Sequence, residues 1–459
     1  MWRYFTLRKI GFTTLETLLL VCCGLGVYLF RFEFPYVISE RLYILLKAVV
    51  IAVVFQFSLH VHDLYPFQGR QLSAAFIRLL LRAIVFAILA TLVIFFIFTL
   101  PTSEQGAFIW NLTINALFVF LWHVILRAYL HLKAPHTNLL VLGASDLAIS
   151  VVREILERPE LSINVVGFVT DASNGDDIPG VNAKLVGNYD DFPDLVSKHK
   201  VNHIIVGLPD SREILPIKSL LDFKARGVFI EEAESFYEQV VGKIPVENLR
   251  PSWLVFKSGF NISRNVFLKQ RILSICLSIT LLILTSPFIL LAAILIKLDS
   301  RGPVFYKQER VGRNGCVFKL VKFRSMIQDA EKETGAVWST PGDDKRVTRI
   351  GRLLRRTRID ELPQIYNVLR GDMDMVGPRP ERPVFVEQLS KEISYYPLRH
   401  VVKPGITGWA QVNYGYASNV EHTIEKLQYD LFYIKNLSFT LDIMVIFETI
   451  KTVLVRKGS

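Results

Sequence analysis

Apolar residues along this chain come in long blocks first and in short alternating runs later. Four blocks open it, near Ile10–Phe30, Leu42–Leu59, Leu79–Leu100 and Ala107–Leu130. A helix needs about 20 residues to cross the hydrocarbon layer of a bilayer. The pattern therefore predicts a four-helix transmembrane bundle over 1–135. The first block is not a cleaved signal peptide, because it lacks a small-residue cleavage site and further spans follow it directly. Arg3, Arg8 and Lys9 precede the first block, Arg70, Arg78 and Arg82 lie around the second loop, and Arg127, His131 and Lys133 follow the fourth. The loop Pro101–Gly106 carries no Lys or Arg. The positive-inside rule then places the N-terminus, the second loop and everything after the bundle in the cytoplasm. Arg31 and Arg41, in the first outer loop, run against that bias.

From His136 the pattern shortens. Asn138–Leu142 reads as a buried strand entering the turn Gly143-Ala144-Ser145, and Asp146–Leu156 reads as a helix. Val165–Thr170, Lys184–Val186 and His203–Leu208 are further strand-like runs separated by helical patterns. Such alternation predicts a parallel sheet, here an α/β Rossmann-like domain over 136–258. The glycine turn is a partial dinucleotide fingerprint. Ser145 and Ala148 stand where the second and third glycines belong, which obstructs close approach of a pyrophosphate. The expectation is a structural or regulatory domain of the CoA-binding type rather than an NAD site.

A fifth block, Ile272–Ile296, has Arg264, Lys269 and Arg271 before it and Lys297 and Arg301 after it. Both flanks favour the same side of a membrane. Ser286-Pro287 lies in its middle, and proline removes a helix hydrogen bond and crowds the preceding turn. These features predict a re-entrant helix over 268–298 that bends at Ser286-Pro287 and returns to the face it entered, against the alternative of a kinked span. The last block, Phe439–Arg456, suits a helix lying flat on the bilayer.

Composition agrees with a membrane protein. Of 459 residues 51% are hydrophobic, and the mean hydropathy is +0.34. A net charge of +11 suits anionic lipid or phosphate ligands. No nucleic-acid-binding module is recognisable, so nucleic acid is not an expected partner. The four cysteines have no metal-ligand or disulfide spacing, and a reducing compartment is expected for the catalytic part.

The candidate chemistry concentrates in Thr357–Gln364. Asp360 and Glu361 stand beside Arg346, Arg349, Arg352, Arg355, Arg356 and Arg358. Such cations suit a multiply charged phosphate substrate, and a carboxylate among them is a candidate nucleophile or metal ligand. Leu362, Ile365, Tyr366 and Leu369 predict a helix with Pro363 in its first turn and Gly371 as its stop. The two acids would then sit at a helix N-terminus, where anions are favoured. A lone acid pair at such a place is ordinarily a charge complement to the helix.

Several motifs recur in order from Arg301 onward: Arg301–Gly312, Phe318–Met326, Arg352, Asp360-Glu361, Gly371–Pro380 and Lys403–Val412. Together they resemble the bacterial sugar transferase family, the monotopic polyprenyl-phosphate phosphoglycosyl transferases, over roughly Phe267 to Ser459. The preceding bundle and Rossmann-like domain resemble the N-terminal part of the family's large members. The resemblance implies a multidomain membrane protein with a C-terminal α/β catalytic domain over 259–459. It implies transfer of sugar 1-phosphate from a UDP-sugar to polyprenyl (undecaprenyl) phosphate at the cytoplasmic face of the bacterial inner membrane, with release of UMP. That reaction is the first membrane step of exopolysaccharide or O-antigen synthesis. Asp360 is implied as the nucleophile that carries a covalent phosphosugar. Glu361 is implied as its partner, ligating Mg²⁺ or assisting proton removal. Both acids are candidate metal residues, and a homodimer through the front half also follows from the resemblance.

Other residues keep two readings each. Lys322 and Arg324 are phosphate ligands or strand-edge structure. Arg352 and Arg358 are candidate phosphate contacts on a basic segment that also suits solvent or lipid headgroups. Arg379 lies between two prolines, either as a preset phosphate ligand or as a surface arginine on a rigid turn. Gly405 and Gly408 are expected in turns, and Trp409 is an interfacial anchor or a core residue. Two other functions stand beside the leading one: a glycosyltransferase that releases UDP, and a non-catalytic membrane scaffold or sensor for polysaccharide assembly.

Overall fold

The structure is a computed structural model that describes residues 2–31, 41–62, 64–65, 73–97, 105–133, 137–158, 161, 163–170, 178, 181, 183–208, 216–248, 260, 262–327, 346–414 and 420–455. The expectations for Arg70 and for most of the loops 32–40 and 98–104 lie outside those residues. The chain divides into two compact units, Met1–Val240 and Val241–Ser459.

The first unit opens with α1 (Trp2–Arg31), α2 (Arg41–Val61), α3 (Ala74–Ile97) and α4 (Gln105–Lys133). Segments Gly11–Phe30, Leu42–Val61, Ala74–Phe96 and Gly106–Ala128 of these helices are long and apolar enough to cross a membrane. Each helix packs on the next and α1 closes on α4. Leu20, Ile51, Phe55, Leu80, Ala83 and Leu112 fill the shared core. Leu18, Leu46, Val85 and Leu117 are exposed on the outside, an apolar exterior that water would penalise and lipid would not.

The same unit continues with β1 (Thr137–Leu142), α5 (Asp146–Glu157), β2 (Ile163–Val169), β3 (Leu185–Gly187), α6 (Phe192–Lys198), β4 (His203–Val206), α7 (Ile217–Ala225), β5 (Phe229–Glu232) and α8 (Ala233–Val241). The five strands form one parallel sheet in the order β3-β2-β1-β4-β5. This is the expected Rossmann-like arrangement, and its central strands are buried because helices cover both faces. Gly143 takes φ 86°, and a Cβ there would come within 2.8 Å of the Gly207 carbonyl oxygen. Ser145 Oγ accepts a hydrogen bond from the Ala148 amide. Ser145 thus caps the N-terminus of α5.

The second unit begins at Val241, earlier than the expected domain boundary at 258/259. The Ile244 amide donates to the Gln428 carbonyl, and Lys243 pairs with Glu425 at 3.0 Å. Residues 241–248 thus belong with the C-terminal unit, because their hydrogen bonds are made there.

Next comes α9 (Arg264–Asp299), 36 residues long with Pro287 inside it. Its sides are inverted relative to a soluble helix. Gln270, Ser274 and Ser278, spaced by one turn, are buried, whereas Leu268, Ile272, Ile279, Ile283 and Leu290 are exposed. Pro287 has no N–H for the carbonyl of Ile283, and Ser286 Oγ donates to that oxygen at 2.8 Å. The serine thus satisfies the group that the proline orphans, and the helix continues through the Ser-Pro step.

The remaining elements are β6 (Phe305–Val311), β7 (Val317–Phe323), α10 (Arg349–Arg356), α11 (Gln364–Arg370), β8 (Asp374–Val376), α12 (Pro383–Glu392), β9 (Gly405–Thr407), α13 (Trp409–Asn413), α14 (Val420–Lys435) and α15 (Phe439–Val455). Strands β6 and β7 form an antiparallel hairpin, and β8 pairs with β9 in parallel. Gly405 and Gly408 do not make turns. A Cβ on Gly405 would meet the Gly377 amide nitrogen at 2.1 Å, and one on Gly408 would meet the Gly377 carbonyl oxygen at 2.2 Å. These glycines let two backbones touch, which fixes the segment Gly377–Pro380 against β9. Trp409 is a core residue: it is buried, stacks on Phe432, and its Nε1 donates to the Gly242 carbonyl at 2.7 Å.

Candidate active site

The acid pair is placed by the way α10 ends. Thr348 Oγ1 caps the helix start by accepting from the Gly351 amide. A Cβ on Gly351 would lie 2.0 Å from the Ser325 carbonyl oxygen, so only glycine lets α10 lie against that backbone. At the far end Arg358 adopts φ 60°, ψ 12°, a left-handed conformation unusual for a non-glycine residue. The chain then makes a 3-10 turn over Ile359–Glu361 before α11 begins at Gln364. The expected helix therefore starts later than Leu362, and the acids occupy the preceding turn rather than its first residues. Gly371 stops α11 as expected, with φ 100°.

The turn points Asp360 inward, where only 8% of it is exposed. Glu361 Oε1 accepts from Arg379 Nη2 at 2.7 Å and from Lys322 Nζ at 3.3 Å. Burial alone pushes the Glu361 carboxyl up, but Arg379 and then Lys322 outweigh it and hold the group well below the usual carboxylate range. Asp360 moves the other way. Burial raises it first and the charge of Glu361 next, against the opposing pull of Lys322, Arg355 and Arg379. The neighbouring acids thus differ in character: Glu361 is a fixed anion, and Asp360 is a carboxylate short of compensation. Such a pair suits a division between charge support and nucleophilic attack.

Two devices hold these groups in register. Asn367, fully buried on α11, donates through Nδ2 to the Lys319 carbonyl and accepts from the Val321 amide at Oδ1. It clamps β7, which carries Lys322, to the helix that follows the acids. Arg399 donates to the Arg379 carbonyl at 3.0 Å, to Asp430 Oδ2 at 2.8 Å and to the Tyr396 hydroxyl at 2.8 Å. That buried ion pair fixes the backbone of Arg379.

The structure thus brings Asp360, Glu361, Lys322 and Arg379 together, and the charge of Arg358 also lowers the Glu361 carboxyl. Arg352 lies on the exposed side of α10. Arg324 is employed elsewhere. It is buried, and its guanidinium donates to the carbonyls of Ser300 and Arg301 and to Ser300 Oγ. It caps the C-terminal end of α9, so its expected phosphate contact gives way to a structural one. Ser286 and Pro287 lie in α9, where the Ser286 hydroxyl donates to the Ile283 carbonyl of its own helix. Sequence reasoning missed Asn367, Arg399, Asp430 and the specific part of Arg355, whose Nε donates to Ser325 Oγ at 2.9 Å. No periodicity marks them; only the fact that buried polar side chains need partners would have flagged Asn367.

Among the described residues no group of three or more His, Cys, Asp or Glu side chains assembles a metal cage. Two adjacent carboxylates are nonetheless a donor set that fits Mg²⁺, which takes one or two protein carboxylates and fills its shell with phosphate oxygens and water. The mutual repulsion that helps raise Asp360 is what a divalent cation relieves.

Comparison with known proteins bears on this site. The sequence model of the family described as Bacterial sugar transferase matches residues 265–456, and that of a CoA-binding domain matches 60–222. The UDP-glucose:undecaprenyl-phosphate glucose-1-phosphate transferase of Klebsiella pneumoniae is 32% identical over 453 residues, covering 95% of this chain and 93% of the relative. The chain belongs to the bacterial sugar transferase family. The UDP-N-acetylgalactosamine-undecaprenyl-phosphate N-acetylgalactosaminephosphotransferase of Aeromonas hydrophila is 44% identical over 223 residues, 48% of this chain and 51% of that protein. The undecaprenyl-phosphate glucose phosphotransferase of Komagataeibacter xylinus is 38% identical over 286 residues, 58% of this chain and 53% of that protein. The matches to these last two span about half of their own length. As a sugar transferase, the chain carries its acid pair and basic cage inside the family's matched region. The CoA-binding match begins at residue 60, within the apolar helices, rather than at 136.

Proposed function

We propose that this sugar transferase moves a sugar 1-phosphate from a UDP-sugar to undecaprenyl phosphate, releasing UMP, as the first membrane step of exopolysaccharide or O-antigen synthesis. The observation that carries the reading is Asp360 buried beside the fixed anion Glu361 inside a cage of Lys322, Arg379 and Arg358. Phosphoryl transfer needs charge neutralisation and positioning more than elaborate covalent machinery.

In the proposed reaction a carboxylate oxygen of Asp360 attacks the β-phosphorus of the donor. The bond from that phosphorus to the bridging oxygen breaks, and UMP leaves with the bonding pair. A phosphate oxygen of the lipid acceptor then attacks the same phosphorus and Asp360 departs as the free carboxylate. Two steps let the soluble donor and the lipid acceptor occupy the site in turn. Arg379 and Lys322 anchor Glu361 and present positive charge to the phosphoryl oxygens. Mg²⁺ held by Asp360 and Glu361 would supply further charge neutralisation at the phosphates.

The membrane setting belongs to the same proposal. The four front helices span the inner membrane, and α9 enters and returns on the cytoplasmic side, where its cationic flanks Arg264, Lys269, Arg271, Lys297 and Arg301 all lie. Incubating the full chain with Mg²⁺, undecaprenyl phosphate and either UDP-glucose or UDP-N-acetylgalactosamine tests the reading. Labelled lipid and free UMP are expected from one of them. Release of UDP instead would identify a glycosyltransferase that moves only the sugar.

A further inference from the structure

Glu361, Gln364 and Asn367 recur at a spacing of three through the acid turn and α11. The chain between them is a run of tight turns: the Ile365 amide donates to the Leu362 carbonyl and the Tyr366 amide to the Pro363 carbonyl. Side chains three apart in such turns lie over one another, so the three share a side. The two outer members both reach β7. Glu361 accepts from Lys322 Nζ at 3.3 Å, and Asn367 bonds the Lys319 carbonyl and the Val321 amide. Gln364 lies between those contacts, four residues after Asp360, and is only 3% exposed. Asn367 has partners at both ends of its carboxamide. Gln364 does not: its Nε2 is buried and meets no acceptor among the described residues. A buried N–H without an acceptor is costly to a fold, and this one lies on the segment that carries the acid pair.

We propose that Gln364 is a substrate-binding residue whose Nε2 donates to a non-bridging oxygen of the phosphoryl group that Asp360 receives. The proposal rests on the transferase reading above for its ligand. Residues four apart on a helical segment are neighbours, so a phosphorus bonded to Asp360 brings its oxygens to the side of the turn that Gln364 occupies. Lys322 and Arg379 already bond Glu361 Oε1 and neutralise charge. A carboxamide adds direction instead: it bonds one oxygen at a set angle and so orients the phosphorus for in-line attack.

The test compares the full-length wild type with Gln364→Met, which keeps the length and loses the donor, and Gln364→Glu, which keeps the shape and puts an acceptor in its place. UMP release is followed with whichever of UDP-glucose and UDP-N-acetylgalactosamine the wild type turns over. The methionine variant is expected to lower kcat/KM about tenfold or more, and the glutamate variant further, because it repels the phosphoryl oxygen. The unliganded melting temperature of the methionine variant should hold or rise, since the fold loses an unpaired buried donor. A glutamine that only held the fold together would lower it. A further measurement needs no turnover: the rise in melting temperature with Mg²⁺ and inorganic pyrophosphate, expected to weaken in the methionine variant. Should that variant fail to fold, Gln364→Leu takes its place in every measurement. Wild-type kcat/KM without the donor, or activity lost only in step with the unliganded melting temperature, overturns the role of Gln364. A wild type that releases no UMP overturns the transferase reading instead; the pyrophosphate response then decides on the donor, which falls if its removal leaves that response unchanged.

Discussion

Arg379 Nη2 stands 2.7 Å from Glu361 Oε1 and is held there by a backbone that Arg399 grips from behind. Removing the guanidinium leaves Glu361 buried with Lys322 as its remaining hydrogen-bond partner at that oxygen. Arg379→Ala is expected to lower kcat about 100-fold or more, as loss of a preorganised charge contact does. Arg379→Lys restores charge but not the fork, so steady-state assays should place it between the two. Equal activity of wild type and Arg379→Ala would contradict the role.

Asp360 is raised chiefly by its burial and by the neighbouring Glu361. A carboxylate in such a place destabilises the unliganded fold while serving the reaction. Asp360→Asn is therefore expected to abolish turnover and to raise the melting temperature. A variant that is inactive because it is misfolded would show the opposite shift.

Asn367 separates structure from chemistry in another way. Its amide joins α11 to β7 through two partners, the Lys319 carbonyl and the Val321 amide, and also donates to Asp372 just past the end of α11. Asn367→Ala strands buried backbone groups and should destabilise the protein by about 1–3 kcal/mol. Chemical denaturation measures the loss directly, and an effect below about 0.5 kcal/mol would remove the clamp from the account.

Asp442 supplies a pH test away from the acid pair. On α15 it accepts from the Tyr433 hydroxyl at 2.7 Å, while Gln270 of α9 donates to that same hydroxyl. Burial pushes its carboxyl up to about 7, with Tyr433 opposing and the charge of Asp374 on β8 reinforcing the rise. The folded state therefore keeps a proton that the unfolded chain loses near the ordinary value of 3.8. Stability from this group is full below that value and is lost as pH rises through about 7. Melting temperatures of wild type and Asp442→Asn should nearly agree at the acid end and separate toward pH 8, with the asparagine variant higher. A constant gap across the range would contradict the linkage.

Much of this was legible because it rests on repeated patterns. Bundle helices, the parallel sheet of the Rossmann-like domain and the stop at Gly371 follow from apolar spacing and local backbone chemistry. The acid pair was legible because its neighbours are so basic. Arg324 was left between a phosphate contact and a structural role because a sequence of alternating apolar and basic residues cannot say that one guanidinium will turn back to cap α9. Gly405 and Gly408 were misread for a similar reason: a glycine needed for close backbone approach looks the same in sequence as one needed for a turn. Arg399 and Asp430 come from segments distant from Asp360 in the chain, and only the tertiary fold brings them to the Arg379 backbone.

The central claim is that Asp360 carries the transferred phosphosugar, and trapping that species tests it most directly. The full chain is mixed with UDP-sugar labelled in the β-phosphate, with Mg²⁺ but without undecaprenyl phosphate. The account predicts label bound to the protein, UMP released in equal amount, and neither in Asp360→Asn. Labelled protein in the Asp360→Asn variant, or no UMP until the lipid is added, would contradict it.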